Sequence, residues 1–236
     1  MVSVNSVEST VSQDLSVGET LKVLVVDDHR LILTGTLGIL SQHYPNVEVL
    51  EAQTAFDVLQ HLDKSEFDLI VTDLAIPEQP GDIAEIDTGI KLLQTLLESY
   101  KTQNFLVQTS HVKALVRIKH SIDNHDGGFA IADKTLPEQE MLNRLRIALT
   151  GGTHTKDIKT GIELKPEWFE VLRLAFEEGL TDKAIANKMY KCQRAVRIYW
   201  TKIQDVLEVY PEDCKHDGKS LRIQTEIRAR QEGLID

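Results

Sequence analysis

Over the first 150 positions, apolar residues fall into short runs separated by longer stretches where they recur every three or four residues. The runs are residues 22–26, 47–52, 68–72, 105–108 and 129–132. Apolar side chains on consecutive positions over so short a length predict strands buried on both faces, as in a parallel sheet. The stretches between them, 31–42, 55–62, 88–100, 112–122 and 137–149, carry mostly helical spacing. Strand–helix alternation predicts βαβ units with right-handed crossovers. The expected fold is α/β, a doubly wound five-stranded parallel sheet, followed by a small all-α unit.

The pattern changes after residue 149. Thr150-Gly151-Gly152-Thr153-His154 opens a polar stretch that reads as a linker over 150–163. Pro166 suits the first turn of a helix reaching Glu178, with Gly179 as its stop. Thr181 is placed to cap a second helix, 182–189, and a third runs from 193 to about 208. Two helices joined through residues 189–192 match a helix-turn-helix. Residues 1–20 are rich in Ser and Val, without a basic start or an apolar core, and read as a disordered leader. The expected division is therefore 1–20, 21–149, 150–163 and 164–236.

Charge sharpens this division. Of the 236 residues, the first 164 hold 13 Lys and Arg against 24 Asp and Glu, whereas the remainder hold 13 of each, so the net charge of −11 lies entirely in the first part. An acidic body repels nucleic acid, which directs any DNA contact to the C-terminal part. No apolar run approaches membrane-spanning length. The two cysteines, Cys192 and Cys214, lack zinc spacing and suit a reducing, cytoplasmic compartment.

Chemistry concentrates where apolar runs stop. The first strand ends in Asp27-Asp28-His29 and the third in Asp73-Leu74-Ala75-Ile76-Pro77. Carboxylates have no place inside a doubly buried strand, so they fall just past its C-terminal end, where open α/β sheets carry their sites. Converging acids repel unless a cation joins them, and Mg²⁺ suits an all-oxygen pocket. Such a pocket favours phosphoryl transfer to a carboxylate, with Asp73 as acceptor. A hydroxyl and an ammonium to sense the new charge follow in strand order, Thr109 after the fourth strand and Lys134 after the fifth. Singly, Asp27 reads equally well as a helix cap, Thr109 as a β-branched strand residue and Lys134 as a solvated charge. As an ordered set they read as a site.

Val25-Val26-Asp27-Asp28-His29, Thr72-Asp73-Leu74-Ala75-Ile76-Pro77, Thr109-Ser110 and Lys134 resemble the motifs of the receiver domain of two-component response regulators, over about residues 21–149. The resemblance implies a sensor histidine kinase that phosphorylates Asp73. It implies Mg²⁺ bound by Asp28, Asp73 and the Ala75 carbonyl, with Asp27 in support through water, and phosphoryl oxygens contacted by Thr109 and Lys134. Two features depart from the family. Lys134 lies two residues beyond its usual spacing from Gly128-Phe129, and the loop 77–87 is several residues longer.

In the C-terminal part, Val196, Trp200, Ile203 and Leu207 share one helical face, and Arg194, Arg197, Ile198, Thr201 and Lys202 share the other. Leu180-Thr181-Asp182-Lys183-Ala184-Ile185-Ala186, Val196-Arg197, Ile203 and the ending Ala229-Arg230-Gln231-Glu232-Gly233-Leu234-Ile235 resemble the LuxR-type helix-turn-helix of NarL/FixJ regulators. Ala195 and Ile198 stand where that family more often has Thr and a polar residue. On this reading Arg197 contacts guanine and Ile198 a thymine methyl, with Thr201 a turn further on. Arg194, Lys202 and Lys191 contact phosphates, and Lys183 does so from the scaffold helix. Phosphorylation then shifts a closed form toward a homodimer with a freed recognition helix on promoter DNA. The alternatives are a phosphorylation-independent regulator tuned through Cys192 and an adaptor acting through protein contacts. A haloacid-dehalogenase-type hydrolase is disfavoured, because Ala75 stands where a second Asp is needed.

Overall fold

Five of the apolar runs become the strands of one parallel sheet, because each supplies alternate side chains to two different cores. The computed structural model describes residues 20–156, 165–216 and 218–235. The leader up to residue 19 and the linker over 157–163 lie outside them. β1 (Leu21–Val26), β2 (Val47–Ala52), β3 (Leu69–Thr72), β4 (Phe105–Thr109) and β5 (Phe129–Asp133) lie in the order β2-β1-β3-β4-β5, every neighbouring pair parallel. Leu24, Ile70, Phe105 and Ile131 face one side, packed by α3 (Ile86–Ser99) among others. Their neighbours Val23, Leu69, Leu106 and Ala130 face the other, against Leu33 and Leu40 of α1 (Arg30–His43) and Met141 and Leu145 of α5 (Glu138–Leu149). This two-sided burial is the physical reason the runs do not alternate with polar residues. α2 (Ala55–Leu62) begins at Thr54, whose hydroxyl accepts from the Asp57 N–H at 3.0 Å.

Three segments differ from expectation. The stretch read as the start of a linker forms β6 (Thr153–His154), which pairs with β5 and makes the sheet six-stranded. The chain can add this strand because Gly152 N–H closes on Ile147 O, turning it straight out of α5. The long loop is shorter at its far end: α3 begins at Ile86, and Glu85 N–H donates to Ile76 O at 3.2 Å, closing the loop at its base.

The third difference follows Thr109. Val112–Ile118 winds as a 3₁₀ helix, and only Lys119–Asp123 is α-helical, labelled α4. A repeat of three aligns Val112, Leu115 and Ile118 toward the sheet's core and leaves Lys113 and Val116 on another face. That face meets the C-terminal helices. Val116 packs into their core, Lys113 Nζ lies 2.9 Å from Glu232 Oε1, and Gly233 lies against Ala114 and Ile86 at φ +68°, where a Cβ would come within 3.0 Å of both.

Asp87 anchors the same region, bound by Arg117 at 2.5 Å and by Lys91. Burial alone would raise its carboxyl pKa, but the hydrogen bonds and charges of Lys91 and Arg117 overcome this and hold it below the usual carboxylate range. A carboxyl depressed by folding contributes stability above its unfolded pKa and loses it as pH falls through the folded one. Arg117→Ala is therefore expected to shrink the loss of thermal stability between about pH 5 and about pH 3, measured by circular dichroism.

The C-terminal part comprises α6 (Pro166–Phe176), α7 (Asp182–Lys188), α8 (Gln193–Leu207), α9 (Pro211–His216) and α10 (Leu221–Gln231). Thr181 caps α7 as its sequence predicts, accepting from the Ala184 N–H. Val196, Trp200, Ile203 and Leu207 are buried along α8. Trp200 joins four helices. Its indole N–H donates to Asp182 Oδ1 at 3.1 Å, Phe176 meets it edge-on, and the Arg222 guanidinium stacks 3.4 Å above its ring centre. Such burial pushes the Arg222 pKa down, although Asp182 opposes it.

Candidate functional site

β1 and β3 are adjacent and in register, so Asp27 and Asp73 emerge side by side at the C-terminal edge of the sheet. Both are almost fully buried. Two carboxylates so placed repel each other unless a cation separates them, and Lys134 does this. Its Nζ donates to Asp27 Oδ2 at 2.6 Å and to Asp73 Oδ2 at 2.8 Å. The backbone of this lysine is still displaced by two residues. Thr72, Val107 and Ile131 lie abreast, so Ala132 is level with Asp73, and Lys134, one residue past the end of β5, reaches back to the acids through its long side chain. Burial would lower the Lys134 pKa, but the hydrogen bonds and charges of Asp27 and Asp73 raise it above the ordinary lysine value. It is a fixed positive charge at neutral pH.

The remaining carboxylate oxygens are aimed by backbone. Asp73 Oδ1 accepts from the Leu74 N–H at 2.6 Å, and Asp27 Oδ1 from the His29 N–H at 2.8 Å. Leu74 is in turn held by α3, because Gly89 has no side chain and lets the helix lie directly on the Leu74 backbone. This supporting role of Gly89 escapes a reading by motif. The signal in the sequence is a glycine inside a helical pattern, where only close packing justifies it.

Asp27, Asp28 and His29 bring one donor atom each within 4.8 Å of one another. His29 was not among the residues expected to bind metal. Asp28 Oδ1 is buried and has no hydrogen-bond partner among the described residues, although His29 Nδ1 lies 2.6 Å away outside bonding geometry. A buried carboxylate oxygen that makes no hydrogen bond, beside Asp27 and within 2.6 Å of His29 Nδ1, fits a hard divalent cation. Ala75 follows two residues after Asp73, half-buried, in the segment that Gly89 supports. Thr109 ends β4 fully buried, and its hydroxyl accepts from the His111 N–H at 3.2 Å rather than meeting the acids. The structure thus joins Asp27, Asp73 and Lys134 directly and leaves Thr109 one strand away.

The other expected site residues lie on the helical part. Arg194, Arg197, Ile198, Thr201 and Lys202 are exposed along α8, with Lys191 exposed in the turn before it and Lys183 exposed on α7. The face stays open while Lys113 and Val116 hold the helical part to the sheet.

A family model described as a response regulator receiver domain matches residues 23–146. DevR/DosR, a DNA-binding transcriptional activator of Mycobacterium tuberculosis, is 22% identical over 193 residues, covering 78% of this chain and 86% of that protein. The oxygen regulatory protein NreC of Staphylococcus haemolyticus is 22% identical over 210 residues, covering 80% and 92%. The fold is shared with RcsB from Salmonella enterica serovar Typhimurium, solved on promoter rprA with phosphomimetic BeF3⁻, at a TM-score of 0.56 and 23% identity over 80% of this chain and 90% of that one.

Proposed function

Because the chain belongs to the response-regulator receiver family, with the NarL/FixJ order of receiver and C-terminal helices, we propose that phosphorylation of Asp73 controls DNA binding through α8 to regulate transcription. One observation carries the reading. Lys134 bridges Asp27 and Asp73 at the sheet edge, forming a buried, charge-paired acceptor site. The donor is a sensor histidine kinase. An Asp73 carboxylate oxygen forms a bond to phosphorus as the phosphorus–nitrogen bond of the phosphohistidine breaks, and the imidazole leaves with that electron pair. The only catalysis is this transfer to the chain itself. Lys134 then pairs with a phosphoryl oxygen, and the Thr109 hydroxyl turns from the His111 N–H to another.

Asp28, Asp73 and the Ala75 carbonyl would hold Mg²⁺, with Asp27 in support. The ion supplies neutralisation of the converging charges. Output belongs to the helical unit from residue 164, beyond a receiver over 21–149. The 3₁₀ segment begins three residues after Thr109 and touches both units, so a shift of the Thr109 hydroxyl reaches the Lys113–Glu232 contact directly. Release of that contact favours a homodimer, and paired half-sites on promoter DNA suit such a dimer. The reading places the protein in the cytoplasm, beside the kinase's catalytic part.

Arg197, Ile198 and Thr201 of α8 face base edges, while Arg194 and Lys202 of α8, Lys191 of the preceding turn and Lys183 of α7 face phosphates. Retention on duplex DNA at graded salt tests this output. Retention is expected to rise with a phosphodonor in the wild type, to stay at its basal level in Asp73→Ala, and to fall in Arg197→Ala. Equal retention of wild type and Arg197→Ala would favour an adaptor that binds protein instead.

A further inference from the structure

The turn between α7 and α8 holds a residue that the fold has reason to exclude. Tyr190 has φ +54° and is 96% exposed. The conformation is imposed by the end of α7, where Tyr190 N–H donates to Asn187 O at 3.2 Å and Lys191 N–H to Ala186 O at 2.8 Å. A left-handed residue at this position is ordinarily glycine or asparagine, and a bulky side chain there is strained. Burial returns nothing, because the ring lies in solvent. Tyrosine at Tyr190 therefore makes the turn less stable without adding to the core. Strain that the fold does not need points to use at a surface.

The surface in question is defined by position. Tyr190 lies two residues before Cys192, the residue capping α8, and Lys191 and Arg194 flank it as exposed cations. When the first turn of a recognition helix enters the major groove, the residues just before it lie at the groove's lip, along a phosphate strand. Tyrosine is among the side chains that donate to phosphate oxygens. We propose that Tyr190 is a DNA-backbone contact whose phenolic O–H donates to a phosphate oxygen and sets the angle at which α8 enters the groove. A rigid ring with two rotatable bonds is well suited to that positioning. The inference rests on the reading that α8 binds DNA.

A phosphate contact is independent of sequence, so random-sequence duplex DNA is a sufficient probe for the full chain. Tyr190→Phe keeps the ring and loses the donor. Its affinity is expected to fall about tenfold at every salt concentration, leaving the slope of log K against log salt unchanged, since no charge is removed. Lys191→Ala, by contrast, should lower that slope by about one. Tyr190→Gly is expected to weaken binding at least as much while raising the thermal midpoint by about 2–4 °C as the strain is released. Opposite signs for stability and binding are the signature of a residue retained for contact. Wild-type affinity in Tyr190→Phe and Tyr190→Gly, with binding lost in the Arg194→Ala/Arg197→Ala double variant, would overturn the tyrosine contact and leave the DNA reading standing. Unchanged binding in that double variant would overturn both.

Discussion

Gly89→Ala is expected to destabilise the receiver by at least about 3 kcal/mol, although alanine is the better helix former by about 1 kcal/mol. A β-carbon at Gly89 would lie 2.0 Å from the carbonyl oxygen of Leu74 and 2.6 Å from its carbonyl carbon and Cα. These are backbone atoms with no rotamer by which to yield. α3 must back away, drawing Ile90, Leu93 and Leu97 from a core in which each is nearly fully buried. The site moves with them, because the Leu74 N–H orients Asp73 Oδ1. Denaturant midpoint and phosphodonor labelling should fall together in Gly89→Ala. A higher midpoint, as helix propensity alone predicts, would show that α3 does not rest on Leu74.

Lys134→Ala is expected to be comparably severe for a different reason. It leaves Asp27 and Asp73 facing each other with only 4% of each side chain exposed. Removing one partner of a buried charge group costs about 3–5 kcal/mol, because the charge left behind has lost its compensation. Divalent cation should then restore part of what the lysine supplied. Thermal unfolding with chelator and with Mg²⁺ checks this, and the Mg²⁺-induced rise in midpoint should be larger in Lys134→Ala than in the wild type. Identical midpoints for the two chains in chelator would contradict the bridging role.

Much of this arrangement is legible in sequence because burial writes itself locally. A strand covered on both faces must be apolar throughout, so Asp27 and Asp73 stand out as the places where covering stops. The cap at Thr181 and the buried stripe through Trp200 are legible for the same local reason. What escapes depends on relations between distant segments. Lys134 reaches the acids because its side chain spans a two-residue offset from the level of Asp73, a reach that counting from Gly128-Phe129 does not reveal. β6 is two residues of polar chain whose only signal is the turn that delivers it. The 3₁₀ winding of residues 112–118 answers two cores at once, and one of those belongs to a different part of the chain. The strain at Tyr190 is visible only as a backbone angle.

The central claim is that Asp73 is a phosphoryl acceptor served by Lys134 and a divalent cation. Its most direct test is incorporation of radiolabel from acetyl phosphate into the full chain, with Mg²⁺ or with chelator, in wild type beside Asp73→Ala. The account predicts label in the wild type that requires Mg²⁺ and is released by mild base, as an acyl phosphate must be, and no label in Asp73→Ala. Equal incorporation by Asp73→Ala, or base-stable label in the wild type, would contradict it.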